Sequence, residues 1–145
     1  MGQPEECATI CIDSEFDQIG RARDFVEAIA RRIPMSEPEI YDMVLAVDEA
    51  VTNVIEHAYG GLRGRTVELL AEYAADHFTI IITHHGASFD PSGHQDPVMK
   101  EHLAQRRVGG LGLYLMRQLM DLIEYGVNSN GAQQIRMVKY RQTPC

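Results

Sequence analysis

Apolar residues recur three and four apart between positions 40 and 58: Ile40, Met43, Val44, Val47, Val51, Val54 and Ala58. That rhythm predicts one buried face of an α-helix. Ser36-Glu37-Pro38-Glu39 precedes it as a capping box with proline early in the first turn, and Tyr59-Gly60-Gly61 supplies a stop. The predicted helix is about 22 residues long. Glu49, Asn53, Glu56 and His57 follow the same rhythm on a different stripe. Four helical residues rise about 6 Å, so Glu49 and Asn53 point the same way from adjacent turns.

The rest of the chain alternates between strand and helix patterns. Residues 7–12 predict a strand with Ala8, Ile10 and Ile12 on one face. A helix follows, capped by Ser14 or Asp17, with Ile19, Ala22, Phe25, Val26, Ile29 and Ile33 as its apolar stripe. Val67, Leu69, Ala71 and Tyr73 alternate with Glu68, Leu70 and Glu72, and residues 78–83 are almost wholly β-branched or aromatic. The two runs predict a hairpin turned at Ala74-Ala75-Asp76. Residues 92–107 are irregular, and a loop of that length in a small domain is usually functional or mobile. A second glycine-rich stretch opens another helix, with Gly112, Leu115, Met116, Leu119, Met120 and Ile123 as its stripe. Strand patterns near 123–127 and 134–140, turned by Asn128-Ser129-Asn130-Gly131, end the chain. Neither a repeat nor a long linker divides residues 1–145, so one α+β domain is expected, a sheet covered on one face by helices. Glu68 and Glu72 favour a half-solvated opposite face.

Composition narrows the function. The 145 residues are 45% hydrophobic and 23% charged, as in an ordinary globular domain. A net charge of −8 argues against a direct grip on nucleic acid or an anionic membrane. No apolar run reaches the roughly 20 residues of a membrane helix, and the N-terminus lacks a signal-peptide core. Cys7 and Cys11 lie about 13 Å apart along one strand, too far for a disulfide, and Cys145 is the last residue. Such cysteine usage fits a reducing cytoplasm. His84 and His85 would face opposite sides of a strand, and the six histidines show no metal-ligand spacing.

Three segments carry candidate chemistry. Glu49 can accept a proton, and the Asn53 amide oxygen can ligate a hard cation. Gly109-Gly110-Leu111-Gly112-Leu113 sits just before a helix, where backbone N–H groups suit a phosphate chain, and Arg106 and Arg107 add positive charge beside it. Gly86 lies in the turn that leaves the central hairpin. Each feature alone also fits a plain structural role: a polar helix edge, or glycines that allow a tight turn.

Taken together and in order, these segments resemble the GHKL (Bergerat-fold) ATPase superfamily, and within it the small anti-sigma-factor serine kinases. Residues 47–59, VDEAVTNVIEHAY, look like that family's N box. Residues 109–116, GGLGLYLM, look like its second glycine box, and Phe89-Asp90-Pro91 resembles the tail of its first. The resemblance implies a two-layer α/β sandwich with a mixed, mostly antiparallel sheet and helices on one face. It implies Mg-ATP as cofactor, with Glu49 as general base and Asn53 as the side chain that ligates Mg²⁺. Gly86 would let the backbone approach the adenine pocket, and residues 92–107 would form the lid. Arg106, Gly109, Gly110, Leu111, Gly112 and Leu113 would meet the nucleotide, and His57 would pack at the lid side of the helix. The implied partners are a small STAS-type antagonist protein, phosphorylated on serine, and a sigma factor or other effector held in alternation. A homodimer formed through the sheet side and first strand is also implied.

The sequence departs from the family pattern at one position. The first glycine box normally begins Asp-x-Gly, and its aspartate accepts a hydrogen from the adenine amino group. Here the matching residues are His84-His85-Gly86. A neutral imidazole can accept one hydrogen bond, but the aspartate's charge is gone. Losing a charged buried partner costs about 1.5–3 kcal/mol, roughly ten- to a hundredfold in affinity. Two readings follow: a kinase that tolerates His84, or a partner-switching module of the same fold with weak or absent nucleotide binding.

Overall fold

The computed structural model describes residues 6–87 and 116–141. Five strands form one sheet in the order β1-β2-β3-β5-β4: β1 (Glu6–Asp13), β2 (Thr66–Tyr73), β3 (His77–His84), β4 (Leu122–Val127) and β5 (Gln133–Tyr140). The mostly antiparallel sheet expected from the sequence is antiparallel at all four described junctions. Two helices, α1 (Ile19–Ala30) and α2 (Glu37–Asn53), cover one face.

Period-two alternation decides which side of each strand is buried. Ile12, Val67, Leu69, Ala71, Phe78, Ile80, Ile82, Ile135 and Met137 point inward and join Ala22, Val26, Ile29, Met43, Val47 and Val51 in one core. On the opposite face Cys7, Cys11 and Glu68 are exposed, as the polar alternation of β2 predicts. Arg23 bridges α1 to Asp48 of α2 at 2.6 Å. Lys139 reaches from β5 to the Leu119 carbonyl at 2.7 Å and to Asp42 of α2 at 3.4 Å.

The start of α2 is the predicted capping box. Ser36 Oγ accepts from the Glu39 N–H at 3.2 Å, and the Ser36 N–H donates to the Glu39 carboxylate at 2.9 Å. The hairpin of β2 and β3 forms as expected, and Asn128 Oδ1 accepts from the N–H groups of Asn130 and Ala132 to turn β4 into β5.

Three expectations are corrected. Neither Ser14 nor Asp17 caps α1: a 3₁₀ turn, Phe16–Gln18, leads into it without a side-chain cap. Ser14 is used over a longer range, donating to the Leu62 carbonyl at 2.6 Å and accepting from the Arg65 N–H at 3.0 Å. Ile123 leaves the helical stripe and lies in β4; residues 116–119 are helical, and Met116 and Met120 are buried. The long central helix reaches its expected end, but Val54–Ala58 are π-helical rather than α-helical. The Tyr59 N–H donates to the Val54 carbonyl at 2.9 Å, one residue further back than an α-helix allows.

Candidate nucleotide site

Glu49 and Asn53 lie on the last two turns of α2, held by the apolar stripe of Met43, Val47, Ala50 and Val51 against the sheet. Asp48, beside Glu49, is engaged by Arg23 and accepts weakly from Thr52 at 3.4 Å. Glu49 itself is half-buried and has no cationic partner among the described residues. Burial lifts its carboxyl above the ordinary value, and the Asp48 and Glu56 carboxylates push the same way. A carboxylate held short of charge compensation is a stronger base than a solvated one.

Asn53 is 7% exposed, and its Nδ2 has no hydrogen-bond partner among the described residues. An orphaned buried amide asks for an explanation, because desolvating a donor without a partner costs about 1–3 kcal/mol. Asn53 also marks the junction where the α ladder gives way to the π turn. Single-turn π segments occur frequently at functional sites.

The π turn is welded to the exit of β3. The Ala87 N–H donates to the Ala58 carbonyl at 2.8 Å. Tyr59 Oη donates to the Thr66 carbonyl at 2.7 Å and accepts from the His85 N–H at 2.8 Å. Gly86 sits so close that a Cβ there would lie 2.6 Å from the Ala58 oxygen and 3.0 Å from the Tyr59 ring. The glycine is thus required by the end of the helix. In the sequence Tyr59 reads as part of a helix stop and as the end of the N-box-like stretch; its phenol is the bolt that fixes the β3 exit. A hydroxyl-bearing aromatic directly before Gly-Gly was the available signal.

His84 is the last residue of β3 and is 2% exposed. Its ring meets Tyr59 edge-on, with centroids 5.9 Å apart and planes at 75°. Nδ1 accepts from the Gly86 N–H at 3.2 Å. Burial lowers its pKa below the ordinary imidazole value, and His85 adds to the shift. His84 therefore stands neutral near pH 7. It lines a notch of about 20 Å³ together with Asn53, Val54, Ala58, Tyr125, Gly126, Gln133, Gln134 and Ile135. Burial pushes the Tyr125 phenol up to about 12, so it stays protonated.

The structure thus brings Asn53 and His84 to one notch, and sets Gly86 against the helix end beneath it. His57, on the π turn, is exposed and lies 3.8 Å from the Glu56 carboxylate. Arg106, Gly109, Gly110, Leu111, Gly112 and Leu113, with residues 89–91 and the expected lid, lie outside the described residues.

Comparison with known proteins matches residues 12–139 to the histidine kinase-like ATPase domain family. The serine-protein kinase RsbW of Bacillus pumilus is 33% identical over 146 aligned positions, covering 97% of this chain and 89% of that protein. RsbW of Bacillus subtilis is 32% identical over 133 positions, covering 89% and 82%. A crystal structure of the RsbU and RsbW domains of a Mycobacterium tuberculosis protein superposes with a TM-score of 0.68 over 98% of this chain, at 16% identity. The chain spans about a third of that structure (34%), and the likeness establishes the fold. With a match across almost its whole length, the chain belongs to the histidine kinase-like ATPase family and, within it, to the RsbW serine-protein kinases.

Proposed function

We propose that this protein is a cytoplasmic, ATP-dependent protein serine kinase of the anti-sigma-factor type. It phosphorylates a serine of a small STAS-type antagonist and controls a sigma factor or another effector by partner switching. The observation that carries the reading is Glu49: a half-buried carboxylate with a raised pKa and no described cation beside it, one turn from Asn53. Family membership supports the use of ATP.

Bound Mg-ATP supplies the γ-phosphoryl group and a cation that neutralises charge on the phosphate oxygens. Glu49 would take the proton from the attacking serine hydroxyl and so make its oxygen the nucleophile toward the phosphoryl group that ATP supplies, with ADP leaving. Asn53 Oδ1 would hold Mg²⁺, whose charge would offset that of the phosphates. Among the described residues no cluster of acids, histidines or cysteines could cage a metal. Gly110 and Gly112 would bracket the phosphates, and Gly109, Leu111, Leu113 and Arg106 would meet the nucleotide beside them. Homodimerisation through β1 fits its place at the sheet edge, where Cys7 and Cys11 are exposed. None of the described helices is long and apolar enough to cross a membrane.

One observation favours a second reading. The acceptor nitrogen of His84 is already engaged by Gly86, so it cannot replace the family's aspartate toward an adenine amino group. On that reading the chain is a partner-switching module with feeble adenine nucleotide binding. The experiment is phosphoserine formation on a purified STAS-type antagonist with Mg-ATP, by mass spectrometry. The kinase reading expects phosphorylation by the unmodified protein and a loss of at least a hundredfold in Glu49→Ala. Phosphorylation that survives Glu49→Ala undiminished would remove Glu49 as the base. No phosphorylation by either protein would leave the binding module.

A further inference from the structure

His84 changes which atom the base site offers to a ligand. A neutral imidazole carries its hydrogen on one nitrogen and accepts on the other. Here Nδ1 accepts from the Gly86 N–H, so the hydrogen must be on Nε2. The ring is buried, and among the described residues Nε2 has no hydrogen-bond partner. His84 lines a notch that Tyr125, Gln133 and Ile135 also line. The His84 ring, a donor at Nε2, therefore lines a space of about 20 Å³, room for one small exocyclic group. Adenine carries an amino donor at C6, whereas guanine and hypoxanthine carry a carbonyl acceptor there. A donor facing a donor leaves both unpaired, which a binding site rejects strongly.

We propose that the base site of this kinase reads a 6-oxopurine, so that it binds guanosine or inosine triphosphate at least as tightly as ATP. The inference rests on the proposed nucleotide site being where the family places it. Gln133 completes the match. It pairs with His84 across the β3–β5 ladder, so its side chain shares the helix-facing side, and it lines the same notch. Its amide oxygen can accept the N1 hydrogen that a 6-oxopurine has and adenine lacks.

Calorimetric titration of the full chain with the Mg²⁺ complexes of ATP, GTP and ITP, alongside His84→Asp, tests this. The unmodified protein is expected to bind GTP and ITP as tightly as ATP or tighter, while His84→Asp shifts the ratio toward ATP by tenfold or more. ITP separates recognition at C6 from any contact with the guanine 2-amino group. If His84→Asp does not fold, the three titrations of the unmodified protein decide alone. A tenfold preference for ATP in the unmodified protein overturns the inference and leaves the kinase reading standing. Binding of ATP by His84→Asp with no nucleotide bound by the unmodified protein also overturns it, while confirming where the base sits. Failure of both proteins to bind any nucleotide sinks this inference and the nucleotide site together.

Discussion

The two ends of α2 are built on different principles. Its N-terminus closes on itself: Ser36 and Glu39, three residues apart, satisfy each other's backbone groups. Its C-terminal extension, the π turn Val54–Ala58, is held by residues about 25–30 positions away, through Ala58–Ala87, Tyr59–His85 and the contact of Gly86 with the Ala58 carbonyl. The first end costs little to form and can only hold the helix. The second depends on the sheet being in place, and it sets the position of His84 and the surroundings of Asn53. Site geometry is therefore coupled to folding at one end of the helix and indifferent to it at the other.

The largest break in that contrast is expected from Gly86→Ala. The added carbon would lie 2.6 Å from a backbone oxygen that has no side-chain freedom to yield. Relief requires the β3 exit to move away from the π turn, at about 2–3 kcal/mol, which urea denaturation would register. Nucleotide affinity should fall with it, because His84 moves with the same segment. A variant of unchanged stability and affinity would show that the two segments are not welded.

Tyr59→Phe keeps the ring and removes only the bolt. It leaves the His85 N–H and the Thr66 carbonyl without their partner in a region where Tyr59 is buried. The expected loss is about 1–2 kcal/mol, with nucleotide affinity reduced less than in Gly86→Ala. Ser36→Ala at the opposite end removes one half of the capping box and should cost about 1 kcal/mol. It should leave nucleotide affinity as it was, measured by the same calorimetry. An affinity loss in Ser36→Ala matching that of Tyr59→Phe would erase the distinction between the two ends.

The same contrast explains what the sequence could disclose. A capping box, an alternating strand and an Asn-rich turn are local: the groups that satisfy one another lie within a few residues, so Ser36-Glu37-Pro38-Glu39 and the hairpins were legible. Ser14 looked like a cap because its residue type suits one, but its hydroxyl is spent on Leu62 and Arg65, about fifty positions away. The π turn left no trace because its residues, VIEHA, have ordinary helical character, and the lengthened hydrogen bonds follow from contacts with the β3 exit. His84 was visible as a departure from the family pattern. The rotation of its ring, and hence which nitrogen is free, was not; that depends on where the Gly86 N–H points.

Between the two ends sits Glu49, whose environment makes a smaller but directional prediction. Its folded pKa is raised above the ordinary 4.5, first by burial and then by Asp48 and Glu56. Ionising it therefore costs more in the folded chain than in the unfolded one. The stability associated with the protonated form is fully present below the unfolded value and is lost as pH rises through the folded pKa. Gln cannot ionise, so Glu49→Gln should match the unmodified protein in stability near pH 4 and become relatively more stable as pH rises toward neutrality. Glu6, Glu37 and Asp76, whose pKa values are lowered, weaken both proteins alike on acidification and cancel in the difference. Thermal unfolding of the two proteins from pH 4 to 7.5 measures that difference. Parallel curves would mean that Glu49 is as well solvated in the folded protein as in the unfolded chain, and its claim to be a base strengthened by its surroundings would fall.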